Sequence, residues 1–191
     1  MSVDAGTETI KIDLTDNERR HAVVGIALNN YLVPQIKPFV DEQMKQYYEE
    51  LRGQYKIHTD ESKLTWDVAE SLGLNIHWGN VLRNIRNHNQ LAKHYQKKHM
   101  YKKKKFKSIL HEDTDASAIL AMLSRSHQFS EEFRKQCGDK VRDETRNDWA
   151  HCNVQEWDEK KYFECFNHMI EFVDSLKPRH FSSLKSDLVE W

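Results

Sequence analysis

Glycine and proline are scarce in this sequence, at six and three in 191 residues. So few prolines cannot punctuate a many-stranded sandwich, and Lys, Glu, Gln, Leu and Ala are plentiful, so the composition points to an all-α fold. Cysteine is just as sparse. Cys137, Cys152 and Cys165 are odd in number and lack a C-x-x-C pair, which argues against a secreted disulfide framework or a structural zinc site. No stretch approaches the roughly 18 apolar residues of a membrane span. The first nine residues have neither the apolar run nor the basic flank of a signal peptide. The expectation is a chain with no membrane segment, metal or cofactor, in the cytoplasm or nucleus.

Acidic residues are missing from one long stretch. Between Ser71 and His111 there is no Asp or Glu, while Arg83, Arg86 and eight lysines give that stretch a formal charge of +10. The whole chain carries −1, so the remainder carries −11. Such a separation suits a surface that attracts a polyanion, RNA first. Lys102, Lys103, Lys104 and Lys105 form the densest part of the tract and are candidate RNA contacts or a nuclear localisation signal. The interleaved Tyr95, Tyr101 and Phe106 suit either base stacking or anchorage to a core.

What is present is helical periodicity. Five Trp, seven Tyr and eight Phe are enough for one core. The expected layout is a single helical domain over residues 15–177, a flexible lead over 1–14, a basic loop over 93–111 and a C-terminal tail over 178–191. Thr15 or Asp16 caps the first helix, with Glu18 completing a capping box. Pro34 and Pro38 should kink or split it, and Gly53 should end it. A loop over 57–62 and a glycine-interrupted helical region over 67–95 follow. A third helix starts near Ala116 and a fourth at Ser130, with Phe133, Cys137 and Val141 inward at steps of four. The last strong helix is capped by Asp158, and its inward face is read as Phe163, Phe166, Ile170, Val173 and Leu176.

One motif stands above composition. With ten Arg, eleven Asn and eleven His, the pattern R-N-x-x-x-H should occur about 0.03 times by chance. It occurs twice, as Arg83-Asn84 with His88 and as Arg146-Asn147 with His151. The second copy has the better context: a long charged helix before it, then Trp157-Asp158 and the strong final helix. Asn147 and His151 are four apart, about 40° around an ideal helix, and share a face. Arg146 and His151 are five apart, about 140°, and do not. Arg146 therefore needs a bend, a long reach or a second subunit to join them.

The run Val141-Arg142-Asp143-Glu144-Thr145-Arg146-Asn147-Asp148-Trp149-Ala150-His151-Cys152-Asn153, followed by Glu156-Trp157-Asp158, resembles HEPN domains. It is most similar to the subfamily named after the DAZ-interacting zinc-finger protein. The resemblance covers about residues 129–176. It implies a bundle of about four to six helices, carrying the basic loop as an insertion, and a homodimer in which two motifs meet across a two-fold. It further implies a metal-independent endoribonuclease with Arg146, Asn147 and His151 at its site and Arg142 beside them as an RNA contact.

The alternatives are concrete. Arg146 pairs with Asp143, Glu144 or Asp148 on a solvated face, and His151 caps its helix against the dipole. At the level of the whole chain, the alternative is a non-catalytic RNA-binding or dimerisation module of a larger signalling, immune or ubiquitin-pathway protein.

Overall fold

The computed structural model describes residues 13–57, 68, 71–72, 85–95, 108–112, 114–151, 153–176 and 181–191. Among these residues the fold is all-α, a helical bundle without strands. No helix of the described residues is long and apolar enough to cross a membrane.

The first rod begins as the sequence predicts. Thr15 caps α1 (Asp16–Ile26), and Glu18 returns a bond to the Thr15 backbone at 2.7 Å. The prolines do not split this rod. Pro34 lacks the N–H that Asn30 would need as partner, and its ring presses on that carbonyl. The chain answers by widening: Ala27–Leu32 is a π-helical segment, and the Val33 N–H reaches back five residues to Leu28. Helix α2 (Val33–Tyr55) then runs through Pro38 and Gly53. The expected stop at Gly53 is displaced to Lys56, which takes a left-handed φ of 49°. The inward stripe Val40, Met44, Tyr47, Tyr48 and Leu51 is buried.

Downstream, α3 (His88–Lys93) packs Leu91 and Ala92 against α2. Lys93, at the start of the expected basic loop, is helical, and Tyr95 is fully buried. Lys102, Lys103, Lys104 and Lys105 lie outside the described residues, as do residues 1–12, 58–67, Gly73 and Gly79. Helix α4 (Ala116–Arg125) is capped by Asp115, and α5 (Glu131–Lys135) by Ser130.

A continuous rod continues from α5 through a second π-helical segment, Gln136–Asn147, into α6 (Asp148–His151). Its inward residues are Phe133, Cys137, Val141 and Thr145, all buried, and then Trp149, packed on the core. That is a strict period of four. On an ideal α-helix each such step overshoots by about 40°, which would carry Trp149 far from the face of Phe133. The wider turn of the π-helical segment absorbs the drift and keeps the stripe inward.

Helix α7 (Glu159–Ser175) is capped by Asp158, as expected. Of its expected inward residues Phe166, Val173 and Leu176 are buried and Ile170 packs on the core, joined by Cys165, Met169 and Phe172, while Phe163 is 55% exposed. Steps of three and four fit Phe163 inward or outward; the position of α1 and of the 136–147 segment decides between them. The expected tail contains a helix, α8 (Ser182–Val189), which seats Leu184 and Leu188 against α7.

One close approach fixes the end of the long rod. The Trp149 indole lies directly over Gly25 of α1, where an added Cβ would sit 2.4 Å from Nε1. Trp149 Nε1 donates to the His21 carbonyl at 3.1 Å, and His21 Nε2 donates to the Trp149 carbonyl at 2.9 Å. The His21 ring stacks on the indole and meets the buried Trp157 edge-on. Only glycine leaves room here. Gly25→Ala should cost about 1–3 kcal/mol in urea unfolding; an unchanged midpoint would show that the indole is not seated over α1.

Candidate nucleic-acid interface

The three interior residues of R-N-x-x-x-H explain how the motif is presented. Trp149 is locked to α1, and Asp148 forms an ion pair with Lys161 of α7. Burial pulls the Lys161 amine down, yet its contact with Asp148 raises it above the ordinary lysine value. Ala150 is exposed. The rod end is thereby gripped from two sides, and Arg146, Asn147 and His151 are left on the remaining surface: Arg146 and Asn147 part-exposed, His151 exposed.

Among the described residues, the carboxylates that flank Arg146 on its rod are engaged elsewhere. Glu144 takes both Lys140 bonds at 3.0 Å and lies 3.5 Å from His168 Nε2. Asp148 is held by Lys161. Asp143 forms an ion pair with Arg142 Nη2 at 3.1 Å and accepts from Asn147 Nδ2 at 2.8 Å. The bond that Arg146 makes is to a neutral amide, from Nη1 to Asn147 Oδ1 at 3.0 Å. The ion pairs of the alternative reading, with Asp143, Glu144 or Asp148, do not form.

Asn147 bridges Arg146 to Asp143, so it orients the guanidinium rather than the imidazole. The same-face pairing of Asn147 with His151, expected from ideal-helix arithmetic, is not made: the amide turns back one turn instead. His151, the last residue of α6, engages no other described side chain. The structure brings Arg146, Asn147 and Arg142 together and places His151 at the same rod end without bonding it to them.

Arg142 lies deeper than Arg146. Its side chain is 14% exposed, and Nη1 reaches Ser124 Oγ of α4 at 3.5 Å. The helices approach closely here because Gly138 faces Ser124, with only 3.1 Å between an added Cβ and the serine Cβ. Next to Ser124 stands Arg125, which sequence reasoning missed. It is half-buried and donates from Nη1 to the Tyr95 carbonyl at 3.2 Å. Burial pushes its pKa down, the nearby Arg142 charge pushes it further, and Asp143 opposes both. Arg142 and Arg125 thus share one carboxylate. No local spacing signals Arg125, because it joins the others only when α4 packs on the 136–147 segment.

The earlier motif copy has another use. Arg83 and Asn84 lie outside the described residues, while His88 Nε2 bonds the buried Asp41 carboxylate at 2.8 Å. Lys45 takes the other Asp41 oxygen at 2.8 Å. Burial pushes the Asp41 carboxyl up, but the bonds from Lys45 and His88 outweigh it and hold the pKa below the usual value. Cys137 and Cys165 are poor nucleophiles: burial raises the Cys137 thiol and pushes Cys165 up to about 11. Cys152 lies outside the described residues. Among the described residues no cluster of His, Cys, Asp and Glu could hold a metal ion.

Two outcomes follow. Arg146→Ala and His151→Ala should leave stability within about 0.5 kcal/mol, whereas Trp149→Ala should lose about 3 kcal/mol in the same urea titration; a large loss on removing Arg146 would mean a structural role. Asp41 is depressed, so its contribution is present above the unfolded value of about 3.9 and is lost as pH falls through the lower folded value. Asp41→Asn should therefore destabilise the chain at pH 7 and converge with the unaltered protein in acid. Parallel stability curves from pH 7 into acid would contradict this.

Compared with known proteins, the chain matches no family model, no curated protein and no solved structure.

Proposed function

We propose that this chain is a HEPN-like module that binds RNA at the Arg146 surface, and that two copies together cut the strand there without a metal. The supporting observation is the Arg146 guanidinium itself, part-exposed, oriented by Asn147 and without a carboxylate partner among the described residues. A planar fork with unused donors fits a phosphodiester, which accepts two parallel hydrogen bonds and whose charge grows in the transition state. His151, an exposed imidazole at the same rod end, serves as the proton-transfer group.

The reaction is a transesterification. The ribose 2′-oxygen attacks the adjacent phosphorus and gives up its proton to a base. The bond from phosphorus to the 5′-oxygen breaks, and that oxygen takes a proton, leaving a cyclic phosphate and a 5′-hydroxyl. One imidazole accepts and another donates, which suits two His151 side chains brought across a two-fold. DNA lacks the attacking hydroxyl and would bind without being cut.

A second reading is favoured by a specific observation. Asn147 bonds Asp143, and neither it nor Arg146 bonds His151. That arrangement serves a module that binds RNA, or dimerises, without cutting. Incubating the full chain with single-stranded RNA in EDTA separates the two. Cleavage that drops at least about 100-fold in Arg146→Ala and in His151→Ala supports the nuclease. Binding without cleavage, lost in Arg146→Ala and retained in His151→Ala, leaves the binding module. Absence of both binding and cleavage defeats the RNA reading.

A further inference from the structure

The Arg146 surface continues inward to a second cationic position that the motif does not contain. Arg125 and Arg142 come from different helices and are brought side by side where Gly138 lets α4 and the 136–147 segment approach at Ser124. Like-charged groups placed together and half-buried oppose folding, through desolvation and mutual repulsion. The desolvation and the Arg142 charge that lower the Arg125 pKa are the signs of that cost. Asp143 is the carboxylate that pairs with Arg142 and acts on Arg125, and it also accepts from Asn147. Counted with Arg146, the local formal charge is about +2. A bound anion removes this frustration, and the arginine planes offer it hydrogen bonds in pairs.

We propose that Arg125 and Arg142 form a second phosphate seat beside Arg146, so that the surface takes an oligonucleotide spanning at least two phosphates rather than a mononucleotide. This rests on the RNA reading of Arg146 given above. Arg142 lies four residues, about one turn, before Arg146 on the same rod, and the bonds through Asn147 and Asp143 hold the two groups in register. Arg125 extends the line onto α4. It also fixes the carbonyl of Tyr95, the residue from which the sequence runs into the lysine tract.

The test uses the full chain and a fluorescent 2′-O-methyl oligouridine of about eight nucleotides, which cannot be cut by its own 2′-oxygen. Affinity is measured across a salt series for the unaltered chain and for Arg125→Gln, Ser124→Asp and Arg146→Ala. Ser124→Asp places a carboxylate beside Arg142 and keeps the Arg125 bond to Tyr95, so it neutralises the seat while giving up only the long Ser124 hydroxyl bond to the Ala121 carbonyl. Losing one phosphate contact from a single strand should reduce the salt slope by about 0.7, with roughly three- to tenfold weaker binding at low salt. Both Arg125→Gln and Ser124→Asp should show this, with Ser124→Asp melting no lower than the unaltered chain. If Arg125→Gln fails to fold, Ser124→Asp decides alone.

Unchanged slope and affinity in Ser124→Asp would overturn the second seat while leaving the Arg146 reading intact, provided Arg146→Ala still loses binding. A chain that does not bind the oligonucleotide at all defeats the Arg146 reading itself, and the second seat with it. Uridine monophosphate competing as well as the oligomer, phosphate for phosphate, would overturn the two-seat geometry. Polyglutamate of equal charge competing as well as the oligomer would make the partner an acidic protein instead.

Discussion

The seat of Trp149 on Gly25 is the constraint on which the candidate site depends. The rod from Glu131 to His151 is free to place its last turn in many ways until the indole drops over the bare backbone of α1. Two reciprocal bonds between His21 and Trp149 then fix both position and rotation. The rotation matters most. The π-helical segment makes a four-residue stripe run straight down the rod, so that Trp149 still faces inward sixteen residues after Phe133, and the next faces round carry Arg146 and Asn147 outward. A side chain that looks like simple packing thus decides which charges meet solvent.

Charge pairing completes the arrangement. The rod carries many carboxylates near its end, and in an ordinary solvated helix they would neutralise whichever arginine lay closest. Here each is drawn to a different partner: Glu144 to Lys140 and His168, Asp148 to Lys161, Asp143 to Arg142 and Asn147. Arg146 is bonded to a neutral amide, and Arg125 to a carbonyl. Arginine forks held by neutral groups keep their charge available, and a half-buried position strengthens what that charge can do for an anion.

Much of this was legible in the sequence where the determinants are local. Thr15, Asp115, Ser130 and Asp158 cap helices because a short polar side chain one position before an apolar repeat satisfies a free N–H, and no distant contact is needed. The all-α class and the exposed position of the Arg146 motif follow from the same local reading. What was not legible depends on partners. Phe163 and Phe166 fit the same period, and only the packing of α7 on α1 and the long rod turns Phe163 outward. Gly53 stays helical because a glycine costs only about 1 kcal/mol and α2 is held along its length by a buried stripe. Helix α8 was hidden because Leu184 and Leu188 form a stripe of just two residues. Arg125 became visible only when α4 met the 136–147 segment, and the π-helical turns cannot be read from a period of four.

The most direct test of the account watches the arginines themselves. In the full chain labelled with nitrogen-15, the side-chain Nε–H signals of Arg146, Arg142 and Arg125 should shift together as a single-stranded 2′-O-methyl oligonucleotide is titrated in, while Arg19 and Arg52, paired with Asp13 and Glu49, stay where they are. Shifts confined to Arg19 and Arg52, or no shift at any arginine, would contradict the claim that the motif end of the rod is the RNA-binding surface.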